Sequence, residues 1–518
     1  MLRGAAGGEF VYFENTADPV ANTLTTQING SEGWRMLTAP GAGATLDDLL
    51  DEFHTQGFPG ADAGGGQPNV VFYTESVLGD KTAGYVAPTS QGVAIGQGQG
   101  VFAYVFEDDE RGVPGVQGGF PKPLAVTGAT PLNTFGWGAD GPGPLSYTDD
   151  PGSPPEDDGW NMLGNPFSSW FDWDAVDLDG VNAPVYVWDD AVAMYRSYSA
   201  GVGALSGGIV APFQGFWVQA NAPNPGLTAT RTAANGTAPL LKDGDRLTVA
   251  LRLAPEASGG APGALPARLR SEAHIALGTP GTEAGADRFD ALALAPPAAA
   301  YVQVATLAAS GGDAVALGVD HRPAADGTAE VPVTVKAVGG GGGPVRLVLT
   351  WDALPEGATA LLRDHETGTE IDLATATEYA FEHAASAAPE AEGSAQGGVP
   401  TLAAPAAKRV SAGAARFSLV VGRGASTGNE PGAGLPRRPR PSNPTRDGAA
   451  LRLSVPSPQR VRAAVYDALG REVAVAFDGE VASAAEIAVD TSRLASGVYV
   501  VRVTGEAFAE ARRLTVAR

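Results

Sequence analysis

The chain has 518 residues, of which 44% are hydrophobic, and 58 acidic against 34 basic side chains give it a formal net charge of −24. This length predicts three or four domains, and the excess of negative charge disfavours partners such as nucleic acid or anionic lipid. Cysteine is absent, which excludes disulfides, thiolate metal sites and cysteine nucleophiles.

Glycine and proline are abundant, with 70 and 40 residues respectively. This composition favours short strands and tight turns over long helices, so we predict an all-β protein. Met1–Gly8 lacks the apolar stretch of a secretory signal. We interpret residues 1–30 as the remnant of an upstream region.

An internal repeat follows, and it predicts two related β-units at residues 31–149 and 150–240. Each unit carries short runs of β-branched and aromatic residues, which are typical of strands. Three pairs of segments match in the same order: Gly33–Pro40 with Gly159–Pro166, Val70–Tyr73 with Val185–Trp188, and Ile95–Tyr104 with Ile209–Val218.

The first unit also contains the best helix candidate of the chain, Thr45–Phe53. Its four large apolar residues, Leu46, Leu49, Leu50 and Phe53, lie on one face at helical spacing. Thr45 precedes them and is a favourable N-cap residue, so a short amphipathic helix is predicted here.

The second unit places four carboxylates within eight residues: Asp172, Asp174, Asp177 and Asp179. Oxygen ligands at alternate positions suit calcium, although the spacing is not that of an EF-hand loop. Two interpretations stay open, a calcium site and a solvated acidic loop, and the second is favoured. Calcium is the one cofactor that the sequence suggests.

Six of the eight tryptophans also fall in this region: Trp137, Trp160, Trp170, Trp173, Trp188 and Trp217. A row of exposed indole rings would form a glycan-binding surface. The alternative, favoured because Trp buries a large area and prefers strands, is that these rings fill a β-core.

Residues 241–424 predict an antiparallel β-sandwich, because apolar residues alternate with polar ones in Arg246–Leu253, Val331–Val335 and Val345–Leu349. Residues 425–443 are rich in Pro and Arg and predict an extended linker.

We predict that the chain is not an enzyme. The five histidines, His54, His274, His321, His365 and His383, are scattered and form no metal-binding motif. The glycines of Gly96–Gly100 lack the Lys-Ser/Thr and the helix of a phosphate loop, so they predict a turn that leads into a strand.

Residues 444–518 predict a small immunoglobulin-like domain of short strands. The notable residues are Asn443, Pro444, Tyr466, Asp467, Leu469, Gly470, Arg471, Leu494, Gly497, Tyr499 and Arg518. This pattern resembles the C-terminal sorting domain of type IX secretion cargo from Bacteroidota. The resemblance implies that these residues form the sorting signal, that the partners are the secretion machinery and its sorting and processing enzyme, and that the linker is cleaved.

The second unit resembles a module of exported Bacteroidota proteins through Gly159–Pro166, Phe171–Asp174 and Ala211–Val218. Export implies passage through the periplasm and outer membrane to the cell surface or medium. We therefore expect the chain to be the C-terminal part of a longer precursor or a truncated reading frame. The body, residues 31–424, is expected to serve adhesion, ligand binding or scaffolding. The alternatives are the accessory half of a secreted hydrolase and a carbohydrate-binding module, with a polysaccharide or a surface ligand as partner.

Overall fold

A computed structural model describes most of the chain as two compact units. The first unit, here called the body, spans residues 1–236 and 244–426, and the second, the tail, spans 237–243 and 427–518. Within the described residues, no helix has the length and apolar character needed to cross a membrane. The described residues are 22–50, 53–108, 119–128, 133–231, 247–255, 266, 269–278, 281–282, 285–298, 300–310, 313–323, 328–339, 343–351, 358–373, 376–384, 399, 402, 409–410, 415–423, 449–454, 459–466, 472–481, 484–489, 491, 497–504 and 509–516.

The first lobe of the body is a four-stranded sheet covered by a helix and a hairpin-like strand pair. The sheet order is β2-β5-β3-β4, and β1 pairs with β6. The elements are β1 (Asn22–Ile28), β2 (Gly33–Thr38), α1 (Leu46–Leu50), β3 (Val70–Tyr73), a 3-10 turn (Lys81–Gly84), β4 (Tyr85–Val86), β5 (Gly100–Val105) and β6 (Lys122–Gly128). As predicted, α1 buries Leu46, Leu49 and Leu50, and Asp48 N donates to Thr45 Oγ1 at its start.

The second lobe has a five-stranded sheet of order β13-β12-β11-β15-β8, flanked by the smaller sheets β10-β16-β7 and β14-β9. Its strands are β7 (Thr134–Gly138), β8 (Trp160–Gly164), β9 (Phe171–Asp172), β10 (Asp177–Asp179), β11 (Val185–Asp189), β12 (Met194–Ser199), β13 (Val202–Gly203), β14 (Ile209–Val210), β15 (Gly215–Gln219) and β16 (Gly226–Thr230). Short 3-10 turns lie at Pro155–Asp157, Trp173–Ala175 and Ser206–Gly208.

The two lobes share one strand register. In the first lobe β2 pairs antiparallel with β5, with Thr38 opposite Gly100. In the second, β8 pairs with β15, with Gly164 opposite Gly215. In each lobe the closing strand then pairs with the central strand, β3 or β11. The tandem-repeat interpretation stays a prediction, and this common register supports it.

The lobes also bind each other reciprocally through their backbones. Thr38 N donates to Phe213 O at 3.0 Å, and Gly164 N donates to Gly98 O at 2.9 Å. In the predicted repeat, Thr38 corresponds to Gly164. When Gln99-Gly100 is aligned with Gln214-Gly215, Gly98 corresponds to Phe213. Gly98 and Phe213 both have a left-handed φ, of 75° and 60°. The contact therefore has the character of a local two-fold arrangement.

Alternation along the paired strands separates three apolar layers. Leu37 and Val101 face a core inside the first lobe, and Leu163 and Phe216 face a core inside the second. Their neighbours point to the opposite face of each sheet and meet between the lobes. This shared layer contains Trp34, Met36, Phe102, Tyr104, Trp160, Met162, Tyr186, Trp188 and Trp217.

The rest of the body is one twelve-stranded sheet folded over its own core. Its main order is β25-β24-β28-β22-β20-β21-β18-β17-β23-β26, and β19 and β27 pair with β21. The strands are β17 (Leu247–Pro255), β18 (Ser271–Leu277), β19 (Ala291–Leu292), β20 (Tyr301–Ser310), β21 (Asp313–Arg322), β22 (Thr328–Val338), β23 (Gly343–Trp351), β24 (Ala358–Asp364), β25 (Glu370–Asp372), β26 (Glu378–His383), β27 (Arg409–Val410) and β28 (Phe417–Arg423). The predicted β-sandwich fold is confirmed.

The second lobe is joined directly to this sandwich. Leu292 N donates to Tyr186 Oη at 2.9 Å, and Ser199 Oγ donates to Phe289 O at 2.6 Å. Ala183 N donates to Arg288 O at 2.8 Å. The aromatic layer between the lobes and the sandwich core belong to one hydrophobic cluster. The exact domain boundaries at residues 31, 150, 241, 425 and 444 stay predictions.

The tail contains two small sheets. β29 (Ala449–Ser454) pairs with β32 (Ala484–Val489), and a four-stranded sheet has the order β31-β30-β33-β34. The strands of that sheet are β30 (Gln459–Tyr466), β31 (Glu472–Val481), β33 (Gly497–Thr504) and β34 (Ala509–Val516). Three buried valines, one each from β30, β32 and β33, form the core of the tail: Val465, Val489 and Val501.

Candidate functional site

The tryptophans do not form an exposed row. Trp137, Trp160, Trp173, Trp188 and Trp217 are each at most 5% exposed, and Trp170 is half-buried. Their rings make edge-on contacts typical of an aromatic core, such as Trp160 with Trp217 at 6.4 Å between ring centres. The favoured interpretation, that these rings fill a β-core, agrees with this burial, because strand alternation turns the rings towards the cores.

The four aspartates proposed for calcium have separate tasks. Asp172 Oδ1 accepts the Asp174 N–H at 2.9 Å and caps a 3-10 turn, and Asp174 Oδ2 accepts the Tyr198 hydroxyl at 2.7 Å. Asp177 and Asp179 are exposed on β10. Among the described residues, no group of three or more acidic or histidine side chains is arranged to hold a metal. The calcium hypothesis gains no support here and stays a prediction.

A polar cleft of about 270 Å³ lies between the second lobe and the sandwich. One wall comes from the second lobe and the segments that flank it, and the other comes from the segment before β19. The lining residues are Tyr147, Pro155, Glu156, Asn182, Gln219, Ala220, Asn221, Ala286, Asp287, Arg288, Asp290 and Leu292. The cleft combines one aromatic ring, three amides, three carboxylates and one guanidinium group.

The three amides are connected in a chain of hydrogen bonds. Asn221 Nδ2 donates to Asn182 Oδ1 at 2.6 Å, and Asn182 Nδ2 donates to Gln219 Oε1 at 2.9 Å. Gln219, which is buried, donates through Nε2 to the carbonyls of Glu156 and Asp158. The chain fixes the orientation of each amide, and Asn221 is the exposed member.

The carboxylates of the cleft differ in their surroundings. Asp290 is 5% exposed, and its oxygens accept N–H groups of Asp287 at 2.9 Å and of His321 at 2.7 Å. Burial raises the pKa of Asp290 to about 8, and the nearby charges of Asp320 and Asp287 act in the same direction. Glu156 accepts the hydroxyl of Ser310, which joins this wall to the sandwich.

Tyr147 supplies the aromatic face of the cleft and a hydroxyl donor. Burial raises the pKa of Tyr147, and the charges of Asp149, Asp158 and Glu75 raise it further. The phenol therefore stays protonated over the physiological range. Arg288 is exposed on the opposite wall, and its guanidinium carbon lies 5.2 Å from the ring centre of Phe289.

Sequence reasoning missed this cleft. Its walls lie more than 60 positions apart in the chain, between Asn221 and Ala286, and amides on loops carry little sequence signal. The acidic run Glu156–Asp158 is the sequence feature that lies nearest to this cleft.

The predicted sorting residues lie only partly within the described tail. Tyr466 ends β30, Gly497 begins β33, and Tyr499 is partly buried against the tail core. Gly497 pairs with Val516 at the start of the β33–β34 ladder. The other residues of the signal lie outside the described residues: Asn443, Pro444, Asp467, Leu469, Gly470, Arg471, Leu494 and Arg518.

The chain thus has an all-β body and a small C-terminal β-unit. Residues 442–517 match the family described as the secretion system C-terminal sorting domain. The match identifies the chain as a cargo protein of the type IX secretion system, exported to the cell surface or secreted. The tail is thus the part that engages the secretion machinery. A comparison with curated proteins found no match to the chain.

Proposed function

We propose that the body is a non-catalytic binding and adhesion block, and that its ligand site is the polar cleft. The observation that best supports this proposal is the hydrogen-bonded chain of Asn221, Asn182 and Gln219. This chain lies beside Tyr147, in the cleft between the second lobe and the sandwich. Ligand sites commonly lie at such seams, where a few fixed polar groups set the orientation of the ligand.

The ligand class that fits is a neutral saccharide. Hydroxyl groups both donate and accept, which matches fixed amides and carboxylates, and a sugar face stacks on an aromatic ring such as Tyr147. The carboxylates of Glu156 and Asp287 outnumber the single guanidinium of Arg288, so uronic acids and sulfated sugars are disfavoured. The same cleft would serve the alternative role, the accessory binding half of a secreted hydrolase, and the sequence of the full precursor distinguishes the two.

Binding of the full chain to a panel of neutral and acidic polysaccharides tests the proposal. We expect saturable binding to a neutral class, weakened about fivefold or more in Asn221→Ala and Tyr147→Ala, because each removes a contact worth about 1 kcal/mol or more. The matched control is Gln67→Ala, which removes an exposed amide of the first lobe and should leave binding unchanged.

The panel is run with calcium and with chelator. Equal affinity in both keeps the cleft proposal and argues against the aspartates at 172 to 179 as a calcium site. Saturable binding that both cleft variants retain would place the ligand elsewhere, and no binding across the panel would favour a scaffold role.

A further inference from the structure

A buried cluster of one amine and two carboxylates joins the two lobes at a second place. Lys81 follows β3 of the first lobe, whereas Asp150 and Asp158 precede β8 of the second. The side chains of Lys81, Asp150 and Asp158 are 6%, 8% and 1% exposed. Lys81 Nζ lies 2.9 Å from Asp158 Oδ1 and 3.3 Å from Asp150 Oδ2.

The two carboxylates are held in different ways. Asp150 accepts hydrogen bonds from Gly79 N, Gly152 N and Ser153 Oγ. These donors, together with Lys81, hold the pKa of Asp150 well below its usual range. Asp158 Oδ2 accepts the Asp150 N–H at 3.1 Å, whereas its buried Oδ1 makes no contact with the angles of a hydrogen bond. Lys81 Nζ approaches this oxygen at 2.9 Å as an ion pair, which brings the amine next to the carboxyl group of Asp158.

The same arrangement contains the parts of an acyl-transfer site. Lys81 Nζ is the nucleophile, the carboxyl carbon of Asp158 is the electrophile, and Asp150 Oδ2, 3.3 Å from Nζ, is a second carboxylate oxygen that can relay a proton. The Asp150 N–H points at Asp158 Oδ2, where negative charge would grow during attack. A second polar clamp fixes the same segments, because Glu75 accepts Ser146 Oγ, Thr148 N and Thr148 Oγ1.

We propose that Lys81 and Asp158 form an intramolecular amide bond that links the two lobes covalently. One proton of the ammonium group passes to Asp158 Oδ1, which lies 2.9 Å away, and Nζ then attacks the carboxyl carbon of Asp158. Asp150 carries a second proton from the Nζ of the adduct to the same oxygen, Oδ1 leaves as water, and Oδ2 becomes the amide carbonyl. One ammonium and one carboxylate give one amide and one water, and Asp150 ends as it began.

Two physical arguments favour this product. A buried ion pair with a second carboxylate beside it retains a large desolvation cost, and a neutral amide removes two of the three charges. The fold also holds the amine and the carboxyl group in contact, which corresponds to an effective molarity of about 10⁵ M or more. This outweighs the equilibrium in dilute solution, where hydrolysis of an amide to an amine and an acid is favoured. A chain without cysteine cannot use disulfides, so an amide is a covalent brace that remains available to it.

The intact mass of the denatured full chain tests the proposal. We expect a mass one water below that of the sequence, and a branched peptide joining Lys81 to Asp158 after proteolysis. Lys81→Arg keeps the cation but cannot form the amide, so its mass should equal its own sequence mass. Lys122→Arg alters another buried lysine and should keep the deficit.

Two further results sharpen the test. Asp158→Asn should lose one ammonia instead of one water, because the side-chain amide would be the leaving group. A water deficit that persists in Lys81→Arg would instead indicate cyclisation at Asp158-Gly159, and would overturn the proposal. A wild-type chain at its full sequence mass, with Lys81 in a linear peptide, would overturn it as well.

Discussion

At the scale of single residues, Gly98 shows how the contact between the lobes depends on a missing side chain. Its φ is 75°, and a Cβ atom would lie 2.4 Å from Trp137 Nε1 and 2.7 Å from a ring carbon of Phe135. The Trp137 indole N–H also donates to Gly98 O at 2.8 Å. Phe213, the repeat counterpart, instead inserts its ring into the core of the first lobe. The two lobes therefore share one backbone conformation, but the position in the second lobe's strand entry holds a buried ring and the position in the first has no room for a side chain.

We expect Gly98→Ala to lower the free energy of unfolding of the body by about 3 kcal/mol, from steric overlap and an unfavourable φ together. Gly43→Ala is the matched control, because Gly43 has a φ of 85° but no atom within 4 Å of its Cβ position. That control should cost only about 1 kcal/mol. Denaturant unfolding measures the free energy of unfolding of both variants. Equal losses would show that steric overlap with Trp137 does not destabilise Gly98→Ala.

Asp290 predicts a pH dependence of stability. Its folded pKa of about 8 lies above the unfolded value of about 3.9. The folded state therefore holds the proton more tightly, and the associated stability is complete below about pH 4 and is lost as pH rises through 8. We expect the melting temperature of the chain to fall by a few degrees between about pH 6 and pH 9. Asp290→Asn should flatten this slope, whereas Asp179→Asn, at an exposed position of β10, should not, and parallel profiles for all three proteins would contradict the assignment.

At the scale of elements, local pattern was enough to find strands but not their partners. The matches that predicted the repeat fall on β2 and β8, on β3 and β11, and on β5 and β15. Most of these strands are buried on both faces, and a short apolar run bounded by turn residues is the sequence signal of such a strand. The helix predicted at Thr45–Phe53 corresponds to α1, described over Leu46–Leu50, and its apolar face was evident in the sequence.

The cleft could not be predicted because no single element contains it. Asn182, Gln219 and Asn221 become adjacent only when the backbone of Asn182 pairs with that of Gln219, and Asp287 reaches them only through docking of the sandwich. Burial of the tryptophans had the same origin. Trp160 and Trp217 lie on paired strands, so both rings meet the same opposing sheet. A count of tryptophans in one region indicates a large apolar surface but not what covers it.

At the scale of the whole molecule, the body is more continuous than a chain of separate modules. One hydrophobic cluster runs from Trp34 and Trp217 between the lobes to Val249 and Leu419 in the sandwich. Such continuity explains how the seam between second lobe and sandwich can hold a cleft with fixed walls.

Export should depend on the tail and not on the body. We expect removal of residues 444–518, in a version that carries a signal peptide, to leave the protein in the periplasm of a host with the type IX machinery, because the domain matched at 442–517 is the part that machinery recognises. Fractionation and surface proteolysis measure the outcome. The matched control attaches residues 425–518 to an unrelated periplasmic reporter, which should then reach the surface. Surface delivery of the truncated chain would show that the body holds a second signal, and a reporter held in the periplasm would show that the tail acts only in the context of this body.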